Sequence, residues 1–143
     1  MDRRRYYYIY WDTSAILSAL LKDSHSEVAL KWIRKEGLHL LSTLAYAEVI
    51  SVLDRMEKER ILTGVLAQSA LQALLEGPWR FLNLSPAREY MDFLRGKYLL
   101  RGADFWHLAL AMTLKEDIPE LMVLTFDKKL REGTEKEGFA YPS

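Results

Sequence analysis

Short unbroken apolar runs alternate along this chain with longer segments whose apolar residues recur at helical spacing. Tyr6-Tyr7-Tyr8-Ile9-Tyr10-Trp11 is a continuous aromatic and β-branched run, the pattern of a strand buried on both faces of a parallel sheet, and it stops at Asp12. Thr13 to Leu21 predicts a short helix with Ile16, Leu17, Leu20 and Leu21 on one face. A second helix follows the cap candidates Asp23 and Ser24, carries Val28, Leu30, Trp32 and Ile33, and ends at Gly37. Leu38 to Leu41 predicts a second strand. Ser42 or Thr43 then caps a helix with Tyr46, Val49, Ile50 and Leu53 at helical spacing, which becomes heavily charged towards Arg60. Gly64 to Leu75 predicts another helix, stopped by Gly77-Pro78, and Trp79 to Leu84 a third strand. Ser85-Pro86 predicts a helix with Pro in its first turn, running to about Leu99. A strongly apolar helix is expected from Asp104 to about Leu114, a fourth strand over Leu121 to Thr125, a charged helix from Lys128 to Glu137, and a short final strand from Phe139 to Tyr141 after Gly138.

Strands separated by helical segments imply right-handed crossovers and a mostly parallel sheet covered on both faces, an α/β sandwich. No repeat or linker interrupts it, so residues 1–143 are expected to form one domain. The stretch Thr43 to Leu75 reads as a helical hairpin, and an exposed apolar stripe on such a pair serves a partner.

Composition narrows the chemistry. With 50% hydrophobic and 28% charged residues, disorder is excluded, and at 143 residues a core forms without staples. There is no cysteine, hence no disulfide, no thiolate metal site and no Cys nucleophile. Lys and Arg number 20 against 20 Asp and Glu, which removes bulk positive charge as an argument for nucleic-acid binding and predicts a shallow salt dependence for any such binding. Arg3-Arg4-Arg5 before an apolar run imitates a signal peptide, but Asp12, Thr13 and Ser14 interrupt it, and nowhere do eighteen apolar residues run together. A soluble, cytoplasmic protein with no membrane association is expected.

The chain lacks Gly-rich phosphate loops and the Gly-x-Ser-x-Gly elbow. What remains is a set of acids in hydrophobic surroundings. Asp12 and Asp127 each end an apolar strand, where open α/β sheets bind ligands. Glu48 interrupts an apolar helix, and Asp104 opens another. The plain alternative is local: Asp12, Asp127 and Asp104 each precede a helix and read equally as N-caps, and Glu48 as a surface residue. If instead the four meet, their repulsion calls for a cation, and carboxylate oxygens suit Mg²⁺ or Mn²⁺. Such a site makes a nucleophile from water, and the chemistry that follows is phosphodiester hydrolysis.

Asp12-Thr13-Ser14, Glu48 within Ser42 to Glu48, Asp104-Phe105-Trp106-His107-Leu108-Ala109, and Thr125-Phe126-Asp127 together resemble the PIN domain, and more narrowly the VapC-type toxins of toxin–antitoxin pairs. The resemblance spans essentially the whole chain. It implies a PIN-like three-layer sandwich with strand order 3-2-1-4-5. It also implies that Asp12, Glu48, Asp104 and Asp127 bind metal and catalyse, with the Ser14 and Thr125 hydroxyls orienting the aspartates or a water. The activity implied is metal-dependent endoribonuclease cleavage leaving a 5′-phosphate and a 3′-hydroxyl, and the partners implied are RNA, an antitoxin covering the acidic cleft and a second copy in a homodimer. Arg101, Lys128 and Lys129 near the site, and Arg3, Arg4 and Arg5 at the chain start, are available phosphate contacts. His107, one turn after Asp104, reads mainly as a packing and hydrogen-bonding residue, with a ligand or proton-donor role as its alternative; His25 and His39 offer less. Trp11, Trp32, Trp79 and Trp106 read as core. Two rival functions remain: a PIN-like module that binds RNA or protein without cleavage, and a metal-dependent phosphatase using Asp12 as nucleophile, which Asp12-Thr13-Ser14 disfavours by lacking a second aspartate two residues on.

Overall fold

Successive residues of a strand point to opposite faces, and β1 (Tyr7–Trp11) divides its side chains between two cores accordingly. The computed structural model describes residues 5–140. After β1 come α1 (Thr13–Leu20), α2 (Ser26–Ile33), β2 (Gly37–Ser42), α3 (Thr43–Lys58), α4 (Gly64–Glu76), β3 (Trp79–Leu82), α5 (Arg88–Leu94), α6 (Gly102–Lys115), β4 (Met122–Leu124) and α7 (Lys128–Lys136). Ile9 and Trp11 join Leu41, Met122 and Leu124 in a core closed by α1 to α4. Tyr10 joins Leu40 and Val123 in a second core closed by α5, α6 and α7. The result is an α/β sandwich of three layers around a sheet that is parallel throughout, in the order β3-β2-β1-β4. The β1–β2 register sets Tyr7 opposite Gly37, where a Cβ would stand 2.2 Å from the Tyr7 carbonyl oxygen, so only glycine permits this approach.

Several expectations need correction. Of the expected final strand, the described residues show one parallel bridge, Met122 with Ala140, after Gly138 turns at φ 86°; Tyr141 lies outside the described residues. Pro86 does not enter the first turn of α5. Ala87 is extended, its N–H donates 2.9 Å to the Thr113 hydroxyl on α6, and the helix starts at Arg88. That helix ends at Leu94 rather than near Leu99, since Arg95 leaves the helical region and Gly96 takes φ 79°. Helix α6 begins at Gly102, so Asp104 sits within its first turn rather than capping it. Trp106 is half-buried, unlike the core tryptophans Trp11, Trp32 and Trp79.

The α3–α4 hairpin forms, and Ile61, Val65 and Leu66 at its linked end are exposed; Ile61 and Leu66 line a groove of about 1210 Å³ that also borders Leu20, Leu21 and Leu30. Among the described residues no helix is long and apolar enough to cross a membrane.

Candidate active site

Strand β1 delivers Asp12 to the carboxyl end of the sheet, buried and acting as N-cap of α1. One carboxylate oxygen, Oδ1, accepts from the Ala15 N–H at 2.9 Å and the Ser14 hydroxyl at 2.7 Å; the other, Oδ2, accepts from the Thr125 hydroxyl at 2.5 Å. Burial pushes the Asp12 carboxyl above its usual range, while these three hydrogen bonds and the nearby His107 act in the opposite sense. Strand β4 runs beside β1, with the Asp12 N–H donating to the Leu124 carbonyl, and this brings Thr125 and Asp127 alongside.

Two hydroxyls stitch the strand ends together. The Thr125 Oγ1 accepts from the Asp127 N–H at 3.0 Å while donating to Asp12, and the Ser14 Oγ accepts from the Phe126 N–H at 3.0 Å while also donating to Asp12. Asp127 caps α7 through the Leu130 N–H at 2.9 Å. Capping and site membership are therefore not alternatives: both aspartates cap helices, and the capped N-termini of α1 and α7 present their positive dipole ends to these carboxylates.

Glu48, half-buried in α3, accepts from the Thr13 hydroxyl at 2.6 Å and faces the His107 Nε2 at 3.5 Å. Contact with His107 is the main influence holding its carboxyl below the usual range; burial opposes this and Thr13 adds to it. Asp104, on α6, behaves in the opposite way. Its carboxyl is pushed up to about 6, first by burial and then by the charges of Asp127, Asp12 and Glu48, against a counteracting His107. The four acids thus share one electrostatic neighbourhood although 92 residues separate Asp12 from Asp104 in the chain.

His107 is buried, with Nδ1 2.5 Å from the Tyr10 hydroxyl. Burial raises the Tyr10 hydroxyl far above its normal titration range, so it keeps its proton beside Nδ1, while the His107 Nε2 lies 3.5 Å from both the Glu48 carboxylate and the Thr13 Oγ1. Thr13 and Tyr10 were not singled out by sequence reasoning. Tyr10 reads as strand core and Thr13 as the first residue of a helix; no local signal marks partners 97 and 35 residues away.

Of the candidate phosphate contacts, Arg101 is exposed at the start of α6, and Lys128 and Lys129 are exposed in the first turn of α7 beside Asp127. Arg5 belongs to the other end of the sheet, 4.8 Å over the Tyr7 ring, and Arg3 and Arg4 lie outside the described residues. The donor set fits a hard divalent cation in two respects: it is all oxygen, and the elevation of Asp104 by three neighbouring carboxylates is the repulsion that a cation relieves. In a third respect it is not drawn together, because among the described residues no three Asp, Glu or His side chains converge closely enough to enclose an ion.

Comparison with known proteins agrees with this architecture. The PIN domain family model matches residues 9–136. Ribonuclease VapC46 of Mycobacterium tuberculosis is 31% identical over 133 residues, covering 92% of this chain and 94% of that protein. Among solved structures, VapBC2 from Rickettsia felis bound to a promoter DNA fragment superposes with a TM-score of 0.65 at 14% identity, covering 93% of this chain and 96% of that one. VapC20 of M. tuberculosis, described as a sarcin-ricin loop cleaving toxin, gives 0.61 at 16% identity over 92% of this chain and 96% of its own. The two structures carry the fold alone.

Proposed function

This chain belongs to the PIN domain family, and from that premise we propose that it is a metal-dependent endoribonuclease, the toxin of a type II toxin–antitoxin pair. The observation that carries the reading is the shared electrostatic neighbourhood of Asp12, Glu48, Asp104 and Asp127, in which Asp104 is pushed up to about 6 by burial first and then by its acidic neighbours. The kinship with a VapC ribonuclease supports RNA as substrate and an antitoxin as partner. Residues 1–143 are read as one such domain, acting as a homodimer.

Asp12, Glu48, Asp104 and Asp127 would hold Mg²⁺ or Mn²⁺. When bound, such an ion polarises a phosphoryl oxygen and lowers the pKa of water, supplying a nucleophile. The chain's own residues prepare the site. Ser14 and Thr125 fix both oxygens of Asp12, so the carboxylate cannot rotate away. Thr13 holds Glu48, and the Tyr10–His107 pair backs it from the second core. Lys128, Lys129 and Arg101 offer phosphate contacts at the rim. The exposed Ile61, Val65 and Leu66 supply apolar surface of the kind an antitoxin covers.

One observation favours a second reading, a module that binds RNA without cutting it: no three of the acids have converged. A phosphatase with Asp12 as nucleophile is disfavoured, since both its oxygens are engaged and buried. The deciding experiment incubates protein freed of antitoxin with labelled single-stranded RNA. Cleavage with Mg²⁺ or Mn²⁺ that stops on chelation and is lost in Asp12→Asn is expected. Equal cleavage by wild type and Asp12→Asn overturns the site, and RNA retention without cleavage supports the second reading.

A further inference from the structure

Among the aromatic contacts of the described residues, one pair is coplanar: His25 and Phe126 stack with ring centroids 4.4 Å apart and planes 7° apart. Most of the others meet at an edge or tilted, and the exposed Phe93 ring is covered by Lys97 at 4.0 Å. Phe126 stands between Thr125 and Asp127, with its N–H on Ser14, and its ring packs on the core. His25 lies over it and is exposed. The imidazole makes no capping hydrogen bond to α2, and no hydrogen bond to it occurs among the described residues.

We infer that the outer face of the His25–Phe126 stack is a nucleobase platform, seating an unpaired base of the RNA beside the acidic site. The inference rests on the ribonuclease reading and names how that substrate is held. Three features support it. A flat ring backed by a second, core-anchored ring offers a rigid π-surface, the means by which single-stranded nucleic acid is bound without hydrogen-bond readout. The turn carrying His25 is already ordered: Asp23 accepts from the His25 N–H at 2.8 Å and from the Ser18 hydroxyl at 3.0 Å, and the Ser26 hydroxyl donates 2.7 Å to the Leu21 carbonyl. Little freedom is left to lose on binding. Finally, Lys22 in the turn of His25, and Lys128 and Lys129 two and three residues after Phe126, are exposed, and none forms an ion pair among the described residues, so each ring of the stack has a lysine close by in the chain for the adjoining phosphates.

The test measures binding of a short single-stranded RNA carrying 2-aminopurine, in chelator so that nothing is cut, followed by cleavage with Mn²⁺. Wild type is expected to quench the fluorophore as the base stacks. His25→Ala weakens binding about 5- to 100-fold and loses the quench, with kcat little changed, whereas His25→Trp keeps both. Cleavage by wild type with unaltered affinity in His25→Ala overturns the platform and leaves the nuclease reading standing. Equal impairment in His25→Trp and His25→Ala also overturns it, because a stacking surface had been restored. Wild type that neither binds nor cuts RNA removes the nuclease reading and the platform together.

Discussion

At the amino ends of the central strands, Arg5 stands 4.8 Å over the Tyr7 ring, and Lys35 lies 5.8 Å from the Trp32 ring. At the carboxyl ends, Asp12, Glu48, Asp104 and Asp127 gather, and no ion pair among the described residues joins them to a lysine or arginine. Cations at the first end rest on aromatic faces supplied by the chain, a local and complete arrangement. The acids at the second end are oriented by hydroxyls and backbone N–H groups, which fix direction without cancelling charge. Both ends are ordered, but only one is electrostatically finished, and the unfinished one is where an external cation has something to gain.

The hardest blow to this contrast is Asp12→Asn, which keeps the N-cap and removes one charge. RNA cleavage is expected to fall about 100-fold or more, beyond the roughly 10- to 100-fold typical of residues that only orient a ligand. A thermal melt of the same variant should show little net loss of stability, because removal of the charge that burial disfavours offsets the Thr125 hydrogen bond that the amide nitrogen cannot accept. A smaller effect is expected at Thr13. Thr13→Val removes the hydroxyl at 2.6 Å from Glu48 and should lower cleavage and Mn²⁺ affinity about 10-fold, with Thr13→Ser restoring both. If Val and Ser behave alike in a Mn²⁺ titration, Thr13 does not hold Glu48.

The third expectation concerns pH. Asp104 is normally near 3.8 and is raised to about 6 here, so between those values the folded chain keeps a proton that the unfolded chain has lost. Stability of the metal-free protein therefore falls as pH rises through that window, and Asp12, raised by burial, acts in the same direction. Melting curves from pH 4 to 7 should show the decline, with excess Mg²⁺ reducing it and Asp104→Asn flattening it. Because Asp104 is only half-buried, solvent screening limits the loss by pH 7 to about 1 kcal/mol, a few degrees in Tm. A melting temperature that climbs across the window contradicts the unfinished charge. Smallest of all is Arg5→Ala at the opposite end, which removes a cation over an aromatic face; it should cost about 0.5–1 kcal/mol in a denaturant melt and leave RNA cleavage unchanged.

The parity of β1 illustrates what sequence can carry. A run from Tyr6 to Trp11 announces a two-faced strand, and the alternation of Ile9 and Trp11 against Tyr10 assigns them to opposite cores. The four acids were legible as candidates, because each stands at a point where apolar periodicity breaks, but periodicity alone left capping open, and their shared neighbourhood was what the PIN-domain resemblance implied. What escaped depends on contacts across the fold. Tyr10 looks like ordinary core until its hydroxyl meets His107 of α6, and Thr13 looks like a helix start until α3 brings Glu48 against it. Pro86 misled for a related reason: local preference favours a helix there, but the Ala87 N–H is taken by Thr113 of α6. Of the final strand only a bridge at Ala140 stands among the described residues, just after the turn at Gly138.

The double duty of Asp12 and Asp127, helix caps as well as members of the acidic cluster, has a genetic corollary. Asparagine caps a helix as well as aspartate does, and an aspartate codon becomes an asparagine codon by one guanine-to-adenine transition. At either position a single nucleotide change thus erases a charge while keeping the oxygen that caps the helix. Loss of charge at the site and loss of the fold are therefore separable by mutation.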